Sequence, residues 1–366
     1  MRIRKYRQDL HRIPEIGLEV MKTCEYVKEA LSNLPCEITS PIKYSVCAYF
    51  DNQKEETMAF RCDMDALEVL EKNDVEYISK HVGRMHACGH DGHMAIMLEF
   101  AQVIKNIIHT FNYNVLLIFQ PGEETPGGAK PLLDTGLFEK YNVKYVFGYH
   151  LWPYMPKGSI SSKPNEFMAK VAEITMKVHG LSAHAAKYQD GNDALYAASD
   201  LLVQLYKMEQ EEIDSNIYRL LRFGKIQAGS VRNVIANEAV LEGSIRSFDD
   251  QVFDFMLKRV QEIAKIIESN HQVKIDIELS NGYPALINDE ALLNDIMKQS
   301  DRMIHILEKP EMISEDFAFY LQKARGVFFY LGTGTNIALH SDNFNFDEEL
   351  LYSAVAMNID LCKMKF

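Results

Sequence analysis

Long apolar runs are missing from this chain. None approaches the ~20 residues that a membrane-spanning helix needs, so a helical membrane protein is excluded. A basic stripe is missing as well. The formal net charge is −13 and the basic residues are scattered. No nucleic-acid partner is therefore expected. Paired cysteine spacing is absent: Cys24, Cys36, Cys47, Cys62, Cys88 and Cys362 fall at unrelated intervals. The opening MRIRKYRQDLHRIPE has no apolar segment of the kind an export signal carries. The expectation is a cytoplasmic protein with free thiols rather than a disulfide framework. Repeats of fixed period and low-complexity tracts are also lacking, which excludes a solenoid or a disordered tail.

What is present suits a globular protein of two domains. The 366 residues exceed one ordinary core, and 47% are hydrophobic against 25% charged. The stretch to about residue 34 reads as helix broken by Pro14 and Gly17. Four short apolar runs, 58–62, 115–119, 145–149 and 327–331, are flanked by turn residues and read as strands. Between the first two, residues 94–108 are apolar almost all round, the mark of a buried helix. Strands alternating with helices predict a mainly parallel sheet covered on both faces, an α/β domain.

The middle of the chain has another rhythm. Strand 170–178, helix 192–210, strands 222–231 and 237–246, helix 250–268 and strand 272–279 follow one another as βαββαβ, the split-βαβ or ferredoxin-like pattern. Linker-like segments flank it at 162–165 and 281–284. The chain thus divides into a discontinuous α/β domain, 1–164 with 281–366, and an inserted α+β domain, 165–280.

Polar groups collect just after the strands. Asp63 and Asp65 follow the first, Glu123 and Glu124 the second, His150 the third, and His340 the fourth beyond Gly332-Thr333-Gly334. Four parallel strands deliver all of them to one rim, where ligands bind in open α/β sheets. The stretch MHACGHDGH adds His86, Cys88, His90 and His93. Imidazole, thiolate and carboxylate together suit zinc or a neighbouring first-row ion. Cys88 and His90 sit at the mouth of the buried helix, whose N-terminus favours a thiolate, and a Cys88 thiolate can bridge two ions. His86 and His93 are expected to hydrogen-bond ligands instead of binding metal. Neighbours in extended chain point to opposite sides. One carboxylate of the Glu123-Glu124 pair can therefore bind metal while the other acts as general base on an activated water. His11, His81, His109, His179, His271 and His305 are expected to be ordinary surface or satisfied core histidines.

Taken in order, FRCDMDAL, GRMHACGHDGHMA, FQPGEETPGGAKPLL, GYHLWP, GLSAHAA, SVRNVIANEAVLEGSIRSFD, SEDFAFYL and ALHSDNF resemble the dinuclear-metal amidohydrolases. That family includes aminoacylases, hippurate hydrolase and indole-acetyl-amino-acid hydrolases. The resemblance spans nearly the whole chain. Within the family it is greatest to the N-acetyldiaminopimelate deacetylases, on SKHVGRMHACGH, Pro126-Gly127-Gly128 and RQDLHRIPEIG. It implies an amide-hydrolysing enzyme acting on an N-acyl amino acid. It also implies two divalent ions (zinc, manganese, cobalt or nickel) on Cys88, His90, Glu124, His150 and His340. Glu123 becomes the base and Asp65 the residue that orients the base or the metal site. His184 is implied to stabilise the oxyanion from the inserted domain. That domain acts as a lid and, in many relatives, pairs two subunits into a homodimer in which the partner supplies the histidine. Asn233 and Arg246 fall where relatives hold the substrate carboxylate, and Arg is the side chain suited to that task. Backbone groups at Gly332 and Gly334 are expected to assist. Departures are Glu68 for the usual proline after MDAL, Cys62 for an alanine, and glycine for alanine in PGEE. Asp63 stands where distant relatives carry a metal-binding histidine and is not assigned as a ligand.

Overall fold

The computed structural model describes residues 2–366. Two compact units emerge: residues 2–167, 286–309 and 315–366 form one, and 168–285 with 310–314 the other. The short segment 310–314 joins the smaller unit although nothing in its composition announces that.

The chain runs α1 (Arg2–His11), α2 (Met21–Leu31), β1 (Glu37–Thr39), β2 (Val46–Phe50), β3 (Thr57–Asp63), α3 (His90–Ile107), β4 (Asn114–Gln120), α4 (Ala129–Leu133), α5 (Leu137–Lys140), β5 (Val143–Trp152), β6 (Ile160–Ser162) and β7 (Asn165–Met168). It continues through β8 (Lys170–His179), α6 (Ala194–Glu211), β9 (Arg219–Ala228), β10 (Glu238–Ser247), α7 (Asp250–His271) and β11 (Lys274–Leu279). It closes with β12 (Leu286–Asn288), α8 (Glu290–Gln299), β13 (Ile304–Ile306), α9 (Ala318–Leu321), β14 (Arg325–Gly332) and α10 (Leu351–Lys363).

The larger unit is built on an eight-stranded sheet, ordered β1-β2-β4-β3-β5-β14-β6-β13. Its centre, β4-β3-β5-β14, is parallel throughout. These four strands are the apolar runs of the sequence, and in β3 and β4 every residue is buried. That is the signature of a parallel sheet covered on both faces. The flanks differ: β2 runs antiparallel to β4, and β6 antiparallel to β14. The α/β class with a mainly parallel sheet holds, with mixed edges added. The segment expected as a linker around 162–165 instead enters β7, which pairs with β12.

Helix α3 covers the sheet and is buried at every residue from His90 to Ala101. It can approach so closely because of two glycines. Gly89 has φ +87, and a Cβ there would lie 2.7 Å from Leu151 Cδ1. A Cβ on Gly92 would lie 2.7 Å from Phe346 Cζ. Left-handed backbone and missing side chain are both things only glycine supplies without strain. The glycines of HACGHDGH thus press the start of α3 onto the end of β5.

The smaller unit has a four-stranded antiparallel sheet, β11-β8-β10-β9. Helices α6 and α7 cover it, in the βαββαβ order read from the sequence. Helix α7 buries Phe253, Met256, Val260, Ile263, Ala264 and Ile267, a stripe at helical spacing. Asp193 and Asp249 cap α6 and α7 by accepting backbone N–H groups of the first turn. Among the described residues, no helix is long and apolar enough to cross a membrane.

Candidate metal centre

Three histidines present the same atom to one place. His90 Nδ1 donates to the Asp65 carbonyl at 2.8 Å, leaving its buried Nε2 without a hydrogen-bond partner. His150 Nδ1 donates to the Leu151 carbonyl at 2.7 Å, and its Nε2 lies 3.3 Å from Cys88 Sγ. His340 Nε2 is also 3.3 Å from Cys88 Sγ and 3.4 Å from Glu124 Oε1. A backbone carbonyl on Nδ1 fixes the ring and its tautomer so that Nε2 is the ligand atom, the usual arrangement around a metal-binding histidine.

Ligand atoms of Cys88, His90 and His150 lie within 4.8 Å of one another, and so do those of Cys88, Glu124 and His340. Cys88 belongs to both groups. Five side chains from three strand ends and the mouth of α3 therefore converge as two triads sharing one sulfur. The orphaned Nε2 of His90 and the mixed nitrogen, sulfur and oxygen donors fit a zinc-like divalent ion. Electrostatics agree. Burial and the carboxylates of Glu124, Glu123 and Asp63 push the Cys88 thiol well up. That overrides the thiolate expected from the helix terminus; Cys88 lies before α3, deep among anions, and a divalent cation would reverse the balance. Burial works to lower His90, but Asp63, Asp65 and Glu124 outweigh it and raise it to about 10. A proton or a cation must balance those carboxylates. Burial and His93 hold His150 down to about 3, hence neutral.

The supporting contacts are equally specific. His93 Nδ1 donates to Asp63 Oδ1 at 2.7 Å, and its Nε2 accepts from Leu151 N at 3.0 Å. Both nitrogens are used, so His93 is no ligand. His86 departs from expectation. It is buried, both its nitrogens lack partners, and it bonds no ligand. Asp65 accepts the N–H of Glu123 at 2.9 Å and of Glu124 at 3.1 Å. The glutamate pair sits in a turn rather than in extended chain, so turn geometry and not strand alternation sets the directions of the two carboxylates. Glu124 groups with Cys88 and His340, whereas Glu123 groups with Glu315 and Asp316; the two glutamates also meet each other beside His90, all within 4.8 Å. Burial, Glu315, Glu124 and Asp316 push the Glu123 carboxyl well up. His11 is a satisfied core histidine, held between Asp91 at 2.7 Å and Glu71 at 3.0 Å.

Sequence reasoning missed Arg61, Glu315 and Asp316. Arg61 is wholly buried and reaches Asp63 at 3.0 Å, Glu315 at 3.1 Å and Asp316 at 2.6 Å. Its signal was an arginine inside an apolar strand, which demands buried anions as partners.

Residues expected to hold substrate fare unevenly. In the smaller unit the backbones of His184 and Asn233 meet: Val234 bridges to His184, and Ala185 N donates to the Asn233 carbonyl. Asn233 lies in a turn before β10, not in a strand. Arg246 is near the far end of β10, its Nη1 donating to the Met312 carbonyl at 2.6 Å. From Glu238 to Arg246 a strand advances roughly 25 Å. One copy of this unit therefore does not bring Asn233 and Arg246 to one carboxylate. Gly332 also fails as a substrate donor, because its N–H donates to the Ser159 carbonyl at 2.8 Å. Gly334 takes φ +70 against Lys157, a reason for glycine that is structural.

Comparison with known proteins agrees with this geometry. Residues 59–363 match peptidase family M20/M25/M40. A hydrolase of Staphylococcus aureus, named uncharacterized, is 33% identical over 364 residues, covering 96% of this chain and 95% of that protein. A crystal structure of a candidate aminohydrolase from methicillin-resistant Staphylococcus aureus superposes with TM-score 0.91 at 27% identity, covering 100% of this chain and 96% of the other. A Bacillus subtilis protein, described as a dinuclear metal-binding peptidase of the M20 family, gives TM-score 0.84 at 27% identity, with 99% and 97% covered. The chain belongs to peptidase family M20/M25/M40 and is one of its hydrolases.

Proposed function

We propose that this hydrolase cleaves the amide bond of an N-acyl amino acid, with N-acetyldiaminopimelate, released as diaminopimelate and acetate, the first substrate to test. The observation that carries the reading is the division of the glutamate pair. Glu124 belongs to a triad with Cys88, while Glu123 lies outside both Cys88 triads but borders them at His90 and Glu124, with its carboxyl pushed up. A site that only stored metal would need no such second carboxylate.

Two divalent ions on Cys88, His90, Glu124, His150 and His340 would polarise the acyl carbonyl and make a water ionisable near neutral pH. Glu123 takes the proton of the attacking water. It then returns that proton to the amine as the carbon–nitrogen bond breaks, so the base ends as it began. Asp65 keeps this geometry by holding the backbone of both glutamates and the ring of His90. His184 is proposed to donate to the oxyanion and Arg246 to bind the substrate carboxylate, with Asn233 beside His184. The far separation of Arg246 from that pair supports a homodimer through the inserted unit, in which the pair comes from the partner copy. Strand β9 is the edge of its sheet, and Leu195, Tyr196 and Val203 of α6 are exposed. Both are features a second copy would cover.

The test is Glu123→Gln together with a substrate panel. The variant should keep its metal and lose turnover by on the order of 10²–10⁴-fold; near-normal turnover removes Glu123 as the base. The panel comprises N-acetyldiaminopimelate, hippurate, N-acetylmethionine, a dipeptide and a phosphoester, each with zinc, manganese, cobalt or nickel. Cleavage of hippurate or the dipeptide alone moves the substrate and leaves the chemistry. Cleavage of the phosphoester alone overturns the amidase reading.

A further inference from the structure

We infer that Asp316 is a positioning residue for the reaction, a clasp that closes the loop bearing Glu123 and Glu124. The inference rests on the reading of that pair as base and ligand. Residues 121–128 leave the end of β4 and return to the start of α4. The loop folds back on itself, with Gly127 N donating to the Gly122 carbonyl at 2.9 Å. A Cβ on Gly128 would lie 1.8 Å from the Pro121 carbonyl oxygen. Only a residue without a side chain allows the loop's two ends to touch.

One carboxylate ties these ends together. Asp316 Oδ2 accepts Gln120 Nε2 at 2.7 Å from the strand side. The same oxygen accepts Gly128 N and Ala129 N, each at 2.9 Å, from the helix side. Its other oxygen receives Arg61 Nη2 at 2.6 Å. Arg61 Nε in turn donates to Gln120 Oε1 at 2.9 Å, and Tyr320 OH to the same oxygen at 3.0 Å. Every member is buried. Asp65 holds the middle of the loop, through the N–H groups of Glu123 and Glu124, so the two aspartates divide the work: one sets the loop's span and the other its crest. Asp316 positions the pair through this backbone. Its carboxylate also lies beside Glu123, so Gln120→Met, which leaves that charge in place, isolates the backbone effect. A catalytic carboxylate misplaced by ~1 Å can lose on the order of 10²-fold in rate.

Asp316→Asn keeps the volume but leaves a single oxygen to serve both the loop donors and Arg61. One side must be released. Hydrogen exchange of the 120–130 peptide should rise at least tenfold, with the rest of the larger unit unchanged. The Kd for manganese should weaken through Glu124. At saturating manganese, kcat on N-acetylmethionine should fall ten- to a hundredfold with KM within twofold. Gln120→Met, which removes the clasp from the strand side alone, should loosen the same peptide. Unchanged exchange in both variants, or loosened exchange with unchanged kcat and manganese binding, overturns the inference. So does exchange that rises evenly over the unit, which marks a folding role only. If the unsubstituted protein cleaves no amide, the amidase reading falls by itself, and loop exchange with manganese affinity still decides the clasp.

Discussion

Replacing Arg61 with methionine probes the electrostatic logic of the larger unit. The Arg61 side chain is 0% exposed and contacts Asp63, Asp316 and Glu315, which are 0–2% exposed. Removing one partner of a buried ion pair costs about 3–5 kcal/mol, because the remaining charge stays desolvated. At ~2–4 °C per kcal/mol, the midpoint should drop by roughly 10 °C. The loss should depend on pH in the metal-free protein. Burial already raises Glu315 to about 8 and Asp316 above its ordinary value, with Arg61 pulling both down. Without Arg61 both folded-state values climb further. A group whose folded pKa exceeds its unfolded one contributes stability that is full at low pH and lost as pH rises through the folded value. The deficit of Arg61→Met should therefore be smaller at pH 6 than at pH 9, opening as pH passes the region where Glu315 titrates in the parent. The assay is built in. The chain has 1 tryptophan, Trp152, stacked on Tyr330 at 4.3 Å between ring centroids. It lies in the same unit as Arg61. Thermal unfolding of chelated protein followed by its fluorescence reports that unit. A deficit below about 1 kcal/mol, far under the buried-pair cost, or one that shrinks toward pH 9, would refute the reasoning.

Other predictions are simpler. Chelation should abolish turnover and added zinc, manganese, cobalt or nickel should restore it; full activity after exhaustive dialysis against chelator, with no metal detected, would remove the metal centre. Cys88→Ala should lower bound metal per chain, measured by elemental analysis, since it removes the sulfur common to both triads. His93→Phe keeps the ring but loses Asp63 and the Leu151 N–H, and should weaken metal affinity by ~10–100-fold, as outer partners of ligands do. Asp193→Ala removes the acceptor for Leu195 N and Tyr196 N. It should cost about 1 kcal/mol of the smaller unit's stability by circular dichroism.

Much of the fold was legible because burial writes itself into composition. The central strands are unbroken apolar runs, since parallel strands face helices on both sides, and the βαββαβ unit shows strand and helix periods in alternation. Strands β1, β6, β7, β12 and β13 went unread: each has three or four residues, too few for a period. The ligand cluster was legible by residue type and by position after strands. Its supports were not. Glu315 and Asp316 stood in a motif without an assigned task, because nothing local shows that Arg61, 255 residues away from Asp316, would need them. The separation of Asn233 from Arg246 likewise follows from strand register, not from proximity in the sequence.

The sequence by itself determined the kinds of donor atoms, the order of elements and the one rim to which parallel strands would bring them. These follow from side-chain chemistry and from period, both local properties. Tertiary structure alone decided which members of MHACGHDGH can bind metal. His90 has Nε2 left over because Asp65 takes its Nδ1, while His93 has nothing left because Asp63 and Leu151 take both nitrogens. A hydrogen-bonding atom has a fixed number of partners, and only the folded chain determines which partners are within 3 Å.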